Sequence, residues 1–415
     1  EEPSTMRILI AAGGTGGHVY PALAVVRSLR ERAPDAEIRW LGGRRGLEST
    51  IVPAEGYQYD SLVLRSLRTV DMSIHRVVDP LRLGASVPQA TAILARWRPD
   101  VIFTTGGYVS VPVALAAAGL RVPLVMWEGN LVPGRSVKAT ARLARALAVS
   151  FAATCQSLKG ACYVTGTPIR SFAGLDKATS RAALGLEAAT PVLFVFGGSQ
   201  AVRKLNRAVA EALPGLIESA TILHMTGERD YADALKRRKE LPEERRVRYR
   251  PFAFLRAEMA DALVAADLLV GRAGSSTLAE ASALGLPMVV VPYPHASAHQ
   301  EANARAMADA GAARIVPDEQ FDAAALMEAA ALLNDAVTLD GMRAAARRFG
   351  RPGAAAAVAE LCLALAEGAK LPSAAAVERM SRATQATTEP QRDARARSSG
   401  AQPAPAGAPA KKTQS

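Results

Sequence analysis

Aromatic side chains are scarce in this 415-residue chain: Phe, Trp and Tyr make up 5% of a sequence that is 49% hydrophobic. Alanine, leucine and valine must fill the interior, which favours helices packed on parallel sheet over an all-β sandwich. Cysteine is nearly absent. Cys155, Cys162 and Cys362 form no metal-ligand spacing and are odd in number, a pattern expected of reduced thiols in a cytoplasmic setting. No run of about eighteen uninterrupted apolar residues occurs, so no segment is expected to span a bilayer. Glu1-Glu2-Pro3 is acidic and lacks a signal-peptide pattern, and Glu1 to Thr5 read as a leader ahead of Met6.

What is present begins with charge. Fifty Lys and Arg against 39 Asp and Glu leave a formal net charge of +11, which attracts an anionic partner such as nucleic acid, lipid headgroups or a phosphorylated substrate. The arginines are scattered and not interleaved with aromatics, so no nucleic-acid partner is expected. An arginine-rich coding bias alone would give the same excess.

Short apolar runs alternate with alanine-rich helical patterns throughout. In the first half they are Arg7 to Ala11, Glu37 to Leu41, Val101 to Thr104, Pro123 to Trp127 and Ala146 to Val149. In the second they are Val192 to Phe196, Thr221 to Met225, Val247 to Tyr249, Leu268 to Gly271, Met288 to Pro292 and Ala313 to Val316. Strands separated by helices read as βαβ units, and the length accommodates two domains. The boundary is expected near Thr165 to Ser171. Beyond Ala369 the chain turns to Ala, Pro, Ser, Thr, Gln and Arg, and residues 370–415 are expected to be a disordered tail.

Two glycine clusters leave apolar runs: Gly13-Gly14-Thr15-Gly16-Gly17-His18 after the first, and Gly197-Gly198-Ser199-Gln200 after Val192 to Phe196. Such a turn lets an anion approach backbone amides, and the helix that follows adds unpaired N–H groups and partial positive charge. The first cluster lacks the third glycine of a dinucleotide fingerprint and the Gly-Lys-Ser/Thr of a triphosphate loop. His18, on the first helical turn, is either a general base or a residue capping that turn. A second candidate site runs from Gly271 to Glu280, where Glu280 either accepts ribose hydroxyls or complements the helix dipole. Gln300 and Asn303, three apart on one helical face, suit paired amide bonds to sugar hydroxyls.

Taken together, residues 13 to 24, Gly106-Gly107-Tyr108-Val109-Ser110, Glu128-Gly129-Asn130-Leu131-Val132-Pro133-Gly134, Gly197 to Gln200 and Arg272 to Glu280 resemble the MurG family over about residues 6 to 365. The resemblance implies an α/β fold of GT-B architecture, two Rossmann-like domains whose parallel sheets face a cleft. Residues 6–165 would form the acceptor- and membrane-facing domain and 166–369 the UDP-GlcNAc-binding domain, with the last helix able to pack back on the first. It implies inverting transfer of N-acetylglucosamine from UDP-GlcNAc to the 4-hydroxyl of the MurNAc of lipid I, the undecaprenyl-pyrophosphoryl-MurNAc-pentapeptide, giving lipid II in peptidoglycan synthesis.

By the same resemblance His18 is the catalytic base, and Thr15, Gly16, Gly17 and Asn130 approach sugar and diphosphate. Arg170 and Ser199 meet the phosphates. Ser275, Ser276, Thr277, Leu278, Ala279 and Glu280 hold the nucleotide, Leu255 borders the uracil, and Gln300 and Asn303 hold the N-acetylglucosamine. Absence of Asp-x-Asp from the chain points to no metal and no cofactor. The sequence departs from the family at Ala201 and Thr167, usually glycine and asparagine, and at Gly129, usually glutamine.

A lipid acceptor places the protein on the cytoplasmic face of the cell membrane. Between Leu62 and Leu83, Leu64, Val70, Met72, Ile74, Val77, Val78 and Leu81 mix with Arg65, Arg68, Arg76 and Arg82. That mixture suits reversible attachment to an anionic inner leaflet, and equally a helix packed on its own sheet. Two rival functions share the donor pocket: another GT-B enzyme, such as a UDP-sugar epimerase or glycolipid synthase, and a nonenzymatic nucleotide-sugar sensor.

Overall fold

The computed structural model describes residues 5–64, 75–197, 203–294 and 299–384, with backbone alone for 75–81. The first half runs β1 (Arg7–Ala11), α1 (Gly16–Arg32), β2 (Glu37–Gly43), α2 (Glu48–Ala54), β3 (Gln58–Leu62), α3 (His75–Trp97), β4 (Val101–Thr104), α4 (Ser110–Leu120), β5 (Leu124–Glu128), α5 (Arg135–Thr140), β6 (Ala146–Val149) and β7 (Cys162–Val164). The second runs α6 (Lys177–Ala183), β8 (Val192–Phe196), α7 (Arg203–Ser219), β9 (Thr221–Met225), α8 (Glu228–Glu240), β10 (Tyr249–Phe252), α9 (Met259–Ala265), β11 (Leu268–Gly271), α10 (Ser275–Leu284), β12 (Met288–Val290), α11 (His299–Asp309), β13 (Ala313–Ile315), α12 (Ala323–Ala331) and α13 (Ala336–Phe349). Two more helices, α14 (Ala354–Ala366) and α15 (Ala374–Arg382), follow.

Both sheets are parallel and doubly wound. The first has the order β3-β2-β1-β4-β5-β6-β7 and the second β10-β9-β8-β11-β12-β13. Strand order therefore reverses between β1 and β4 and again between β8 and β11. Loops leaving the carboxyl ends of these strands open a crevice at each switch point. Side chains alternate between faces as pleating demands: Ile8 and Ile10 join one core layer, Leu9 and Ala11 the other.

Three expectations are corrected. The sequence pattern omits β3 and β7, short edge strands whose residues are only partly apolar. It also sets β10 too early: Val247 belongs to a 3₁₀ segment, and the strand carries Pro251, which an edge position tolerates because its outer side lacks a partner. Second, Cys155 and Cys162 form a disulfide. A 3₁₀ segment over Ala152–Ser157 returns the chain against β7 and brings the two Cα atoms to 5.8 Å, within bridging reach. Only Cys362 is a free, buried thiol.

Third, the tail does not begin at 370. Ser373 caps α15, accepting from Ala376 N–H at 3.2 Å, while Val377 and Ser381 are fully buried. Glu378 pairs with Arg351 at 3.0 Å and with Arg382 at 3.2 Å. Composition alone hides this short amphipathic stripe. Residues 385–415 lie outside the described residues. The second domain's own core ends near Phe349, since Ala357 to Leu363 of α14 pack into the first domain's core. Ala336–Ala366 is apolar enough to cross a membrane by length and composition, but it is α13 plus α14, and 61% of its most apolar window is buried.

The second sheet encloses a polar network. His224 of β9 is buried, with Nδ1 3.0 Å from the Tyr249 hydroxyl and Nε2 3.0 Å from Asn206 Oδ1. Asn206 Nδ2 donates to Asp230 at 2.6 Å and to the Thr226 carbonyl at 2.8 Å. Burial lowers the His224 pKa to about 3, against a smaller opposing pull from Asp230. The unfolded chain therefore takes up a proton near pH 6.5 that the folded chain refuses. Stability present above that pH is lost as pH falls toward 3. Between pH 7 and about pH 5, urea denaturation should show the native chain losing about 2 kcal/mol more than a His224→Gln variant.

Candidate active site

The first wall of the crevice is built at the β1/β4 switch point. β1 leads into Gly13-Gly14, where Gly14 takes φ +103°, open to glycine without strain. α1 then starts at Gly16 behind Thr15, whose side chain makes no cap, and no acidic residue stands in the first turn. That leaves a helix start suited to an anion. His18 lies one half-turn on. Its Nδ1 donates to the Thr105 carbonyl at 2.8 Å, since a carbonyl only accepts, and Thr105 Oγ1 donates to the His18 carbonyl at 3.1 Å. In the neutral ring Nε2 is thus the basic nitrogen, and a Cβ at Gly107 would stand 3.4 Å from it. The loop after β4 leaves room there.

Asn130 follows β5. Glu128, missing from the sequence-based set, accepts from Asn130 N–H at 2.9 Å, from Asn130 Nδ2 at 3.0 Å and from Gly134 N–H at 2.7 Å. It fixes the amide's orientation and is itself buried. Gly129 has its own cause: any Cβ there would overlap the Trp127 ring and stand 3.0 Å from Ser275 Oγ. The departure at Gly129 follows from the tryptophan two residues before it.

The second wall stands at the β8/β11 switch point. β8 and β11 approach so closely that a Cβ at Gly271 would lie 2.5 Å from the Phe196 carbonyl oxygen. α10 starts at Ser275 behind Gly274, with no side-chain cap and no acid in its first turn. Ser275, Ser276, Thr277, Leu278, Ala279 and Glu280 are its first residues. Glu280, buried on the second turn, accepts from Arg170 Nε at 2.6 Å. Arg170 sits in the interdomain connection, so the expected phosphate and ribose ligands meet one another. Arg272 is buried, paired with Asp318 at 2.6 Å, donating to the Val291 carbonyl at 3.0 Å and lying 5.3 Å over the Tyr293 ring. Its Nε and Ser276 Oγ are buried without a partner among the described residues.

The walls touch. α1 and α10 are in contact, and the loop after β5 meets the start of α10, where a Cβ at Gly129 would stand 3.0 Å from Ser275 Oγ. Asn303 on α11 accepts from Leu131 N–H at 2.9 Å and donates to Asn130 Oδ1 at 3.1 Å. Thr154 Oγ1 steadies the same loop, 3.1 Å from the Asn130 and Leu131 carbonyls. Gln300 stands on α11 but turns its carbonyl to Tyr293 N–H at 3.0 Å, away from the Asn303 contacts. Leu255 is buried in the second domain's core, its N–H directed at Met225 Sδ. Ser199 lies outside the described residues. No group of three His, Cys, Asp or Glu side chains placed to hold a metal ion occurs among the described residues.

Residues 8–149 match the glycosyltransferase family 28 N-terminal domain and 192–357 its C-terminal domain. A UDP-N-acetylglucosamine–N-acetylmuramyl-(pentapeptide) pyrophosphoryl-undecaprenol N-acetylglucosamine transferase from Moorella thermoacetica is 39% identical over 371 residues, covering 86% of this chain and 98% of that protein. Its namesake from Limosilactobacillus fermentum is 37% identical, covering 84% and 95%. Among solved structures, Acinetobacter baumannii MurG superposes with a TM-score of 0.68 at 25% identity, covering 86% of this chain and 99% of that one. A putative UDP-N-acetylglucosamine 2-epimerase from Listeria monocytogenes, at 15% identity and a TM-score of 0.62 over 89% of this chain and 99% of that one, shares the fold.

The fit between Trp127 and Gly129 is open to a direct check. Gly129→Ala should lose about 1–3 kcal/mol in urea denaturation through the forced overlap. Gly134→Ala should change little, because a Cβ there meets only Glu128 Oε2 at an ordinary 3.5 Å.

Proposed function

This chain belongs to the MurG family of glycosyltransferase family 28, and from that premise we propose how its crevice carries out the transfer. It is a UDP-GlcNAc-dependent N-acetylglucosaminyltransferase, moving N-acetylglucosamine to lipid I to give lipid II in peptidoglycan synthesis. The observation that supports the mechanism is the contact between two helices that each begin without a side-chain cap, one carrying His18 and the other Glu280.

The acceptor's 4-hydroxyl enters from the first wall, and Nε2 of His18 takes its proton as the oxygen attacks the anomeric carbon. The bond from that carbon to the β-phosphate oxygen breaks, and UDP leaves with inversion. Thr15, Gly16, Gly17 and Asn130 line the reacting sugars. Negative charge developing on the diphosphate meets the N–H groups at the start of α10 and the Arg170 guanidinium. Glu280 shares one oxygen with Arg170, and its second is available to ribose hydroxyls. Release of Gln300 and Asn303 from their present partners supplies two amides to the N-acetylglucosamine. Leu255 borders the uracil.

Attachment to the cytoplasmic membrane surface brings the enzyme to its polyprenol substrate. Of the stretch expected to bind, residues 65–74 lie outside the described residues. Beside it, α4 packs on α3 and exposes Leu115 and Leu120 at 46% and 38%, followed by exposed Arg121. Apolar groups with adjacent arginine suit an anionic interface.

With labelled UDP-GlcNAc and a short-chain lipid I analogue, His18→Ala should lower kcat by about 10²–10⁴-fold with little change in donor KM. Glu280→Ala should raise donor KM by about tenfold or more. Turnover of UDP-GlcNAc without lipid would favour an epimerase, and an unaltered His18→Ala variant a sensor. Reversing Arg76 and Arg82 to glutamate should reduce co-sedimentation with anionic liposomes, most clearly at low salt. Unchanged binding removes the membrane face.

A further inference from the structure

His18 is held by two loops, and one buried carboxylate ties both. Glu48, the first residue of α2, is fully buried. Its Oε2 accepts from Gly14 N–H at 2.8 Å, inside the glycine turn that leads to His18. Its Oε1 accepts from Tyr108 Oη at 2.9 Å, three residues beyond Thr105, whose carbonyl receives the His18 Nδ1 proton. The same oxygen accepts from Gly43 N–H at 3.1 Å at the end of β2. A Cβ at Gly13 or Gly46 would overlap the carboxylate, and one at Gly42 would stand 2.8 Å from Glu48 Cγ. The slot is shaped to this side chain. Tyr59 braces it from β3, donating to the Gly43 carbonyl at 2.5 Å.

A buried carboxylate is costly unless its oxygens are met by donors. Here the three donors come from three separate segments, the end of β2 and two loops, and the Tyr108 and Tyr59 phenols stay protonated, their pKa values raised by burial and by Glu48 itself. We propose that Glu48 is a positioning residue for the transfer: it sets the relative placement of the glycine turn and the Thr105–Tyr108 loop, and thereby the direction of His18 Nε2. This rests on His18 as the base. The carboxylate touches no reacting atom in that scheme and acts through the histidine alone.

A neutral amide of the same shape tests it. In Glu48→Gln one oxygen becomes an NH₂ that must face an N–H or a phenol, so the loops shift. Expected is a kcat loss of about 10- to 100-fold with donor KM within about twofold of native. Tyr108→Phe, which removes one of the three bonds and keeps the ring, should lose less in the same direction. The decisive measurement is the double variant. In a His18→Ala background Glu48→Gln should lower kcat no further, because the group it positions is gone. Native turnover in Glu48→Gln, or an equal kcat loss with and without His18, overturns the proposal. So does a parallel fall in UDP binding and melting temperature in both Glu48→Gln and Tyr108→Phe, which would mark a purely structural carboxylate. Full turnover of His18→Ala alone overturns the base assignment first, and the positioning role with it.

Discussion

Asn303 reaching across the crevice to Asn130 and Leu131 is the contact on which the site's geometry depends. Each side chain is satisfied by the opposite domain: Asn303 is fully buried, and Glu128 holds the far side of Asn130. At this point the walls are registered by hydrogen bonds, while elsewhere Phe151 packs against Phe349 with ring centroids 5.8 Å apart. Such contacts are exchangeable, since an incoming sugar hydroxyl can replace an amide without exposing hydrophobic surface. A crevice closed by Leu against Leu would resist a polar ligand. Arg170 and Glu280 likewise meet one another, as an ion pair at 2.6 Å.

That exchangeability requires a rigid frame behind it. The frame is the pair of doubly wound sheets, buried on both faces and sharing α14, which leaves the second domain and fills the first domain's core. Residues Gly350 to Gly353 carry the chain back, and α15 fastens that return through Arg351, which bonds both Glu378 and Ser381. The amides over the crevice can trade partners because the elements carrying them are held in place.

Periodicity made the strands of both sheet interiors legible, because buried parallel strands are continuous apolar runs with turn residues after them. Edge strands escaped: Gln58 to Leu62 and Cys162 to Val164 bury only part of their surface and show no such run. Motif order singled out His18, Asn130, Glu280 and Asn303 as candidates. Glu128 and Glu48 escaped it, since each acts by accepting backbone N–H groups, a role that follows from loop shape and leaves no spacing rule. Charge misled in a specific way. Arg181, Arg248 and Arg272 spend their guanidinium groups on backbone carbonyls, so part of the basic excess serves the fold and not an anionic partner. The cysteine count also misled, for parity says nothing about two residues that a 3₁₀ turn brings together.

Trp127 and Gly129 show how a departure from the family pattern can be local repacking. The indole is buried, donates to the Gly166 carbonyl at 3.0 Å, and occupies the space that a side chain at 129 would need. Gly166 lies at the start of the interdomain connection that carries Arg170. A single ring therefore touches the loop holding Asn130 and anchors the segment leading to Arg170. Glycine at 129 is the accommodation that lets the ring do both, and it preserves Asn130 and Glu128 in bonding contact. Two of the ties between the walls are thus the amides over the crevice and the buried indole bonded to Gly166.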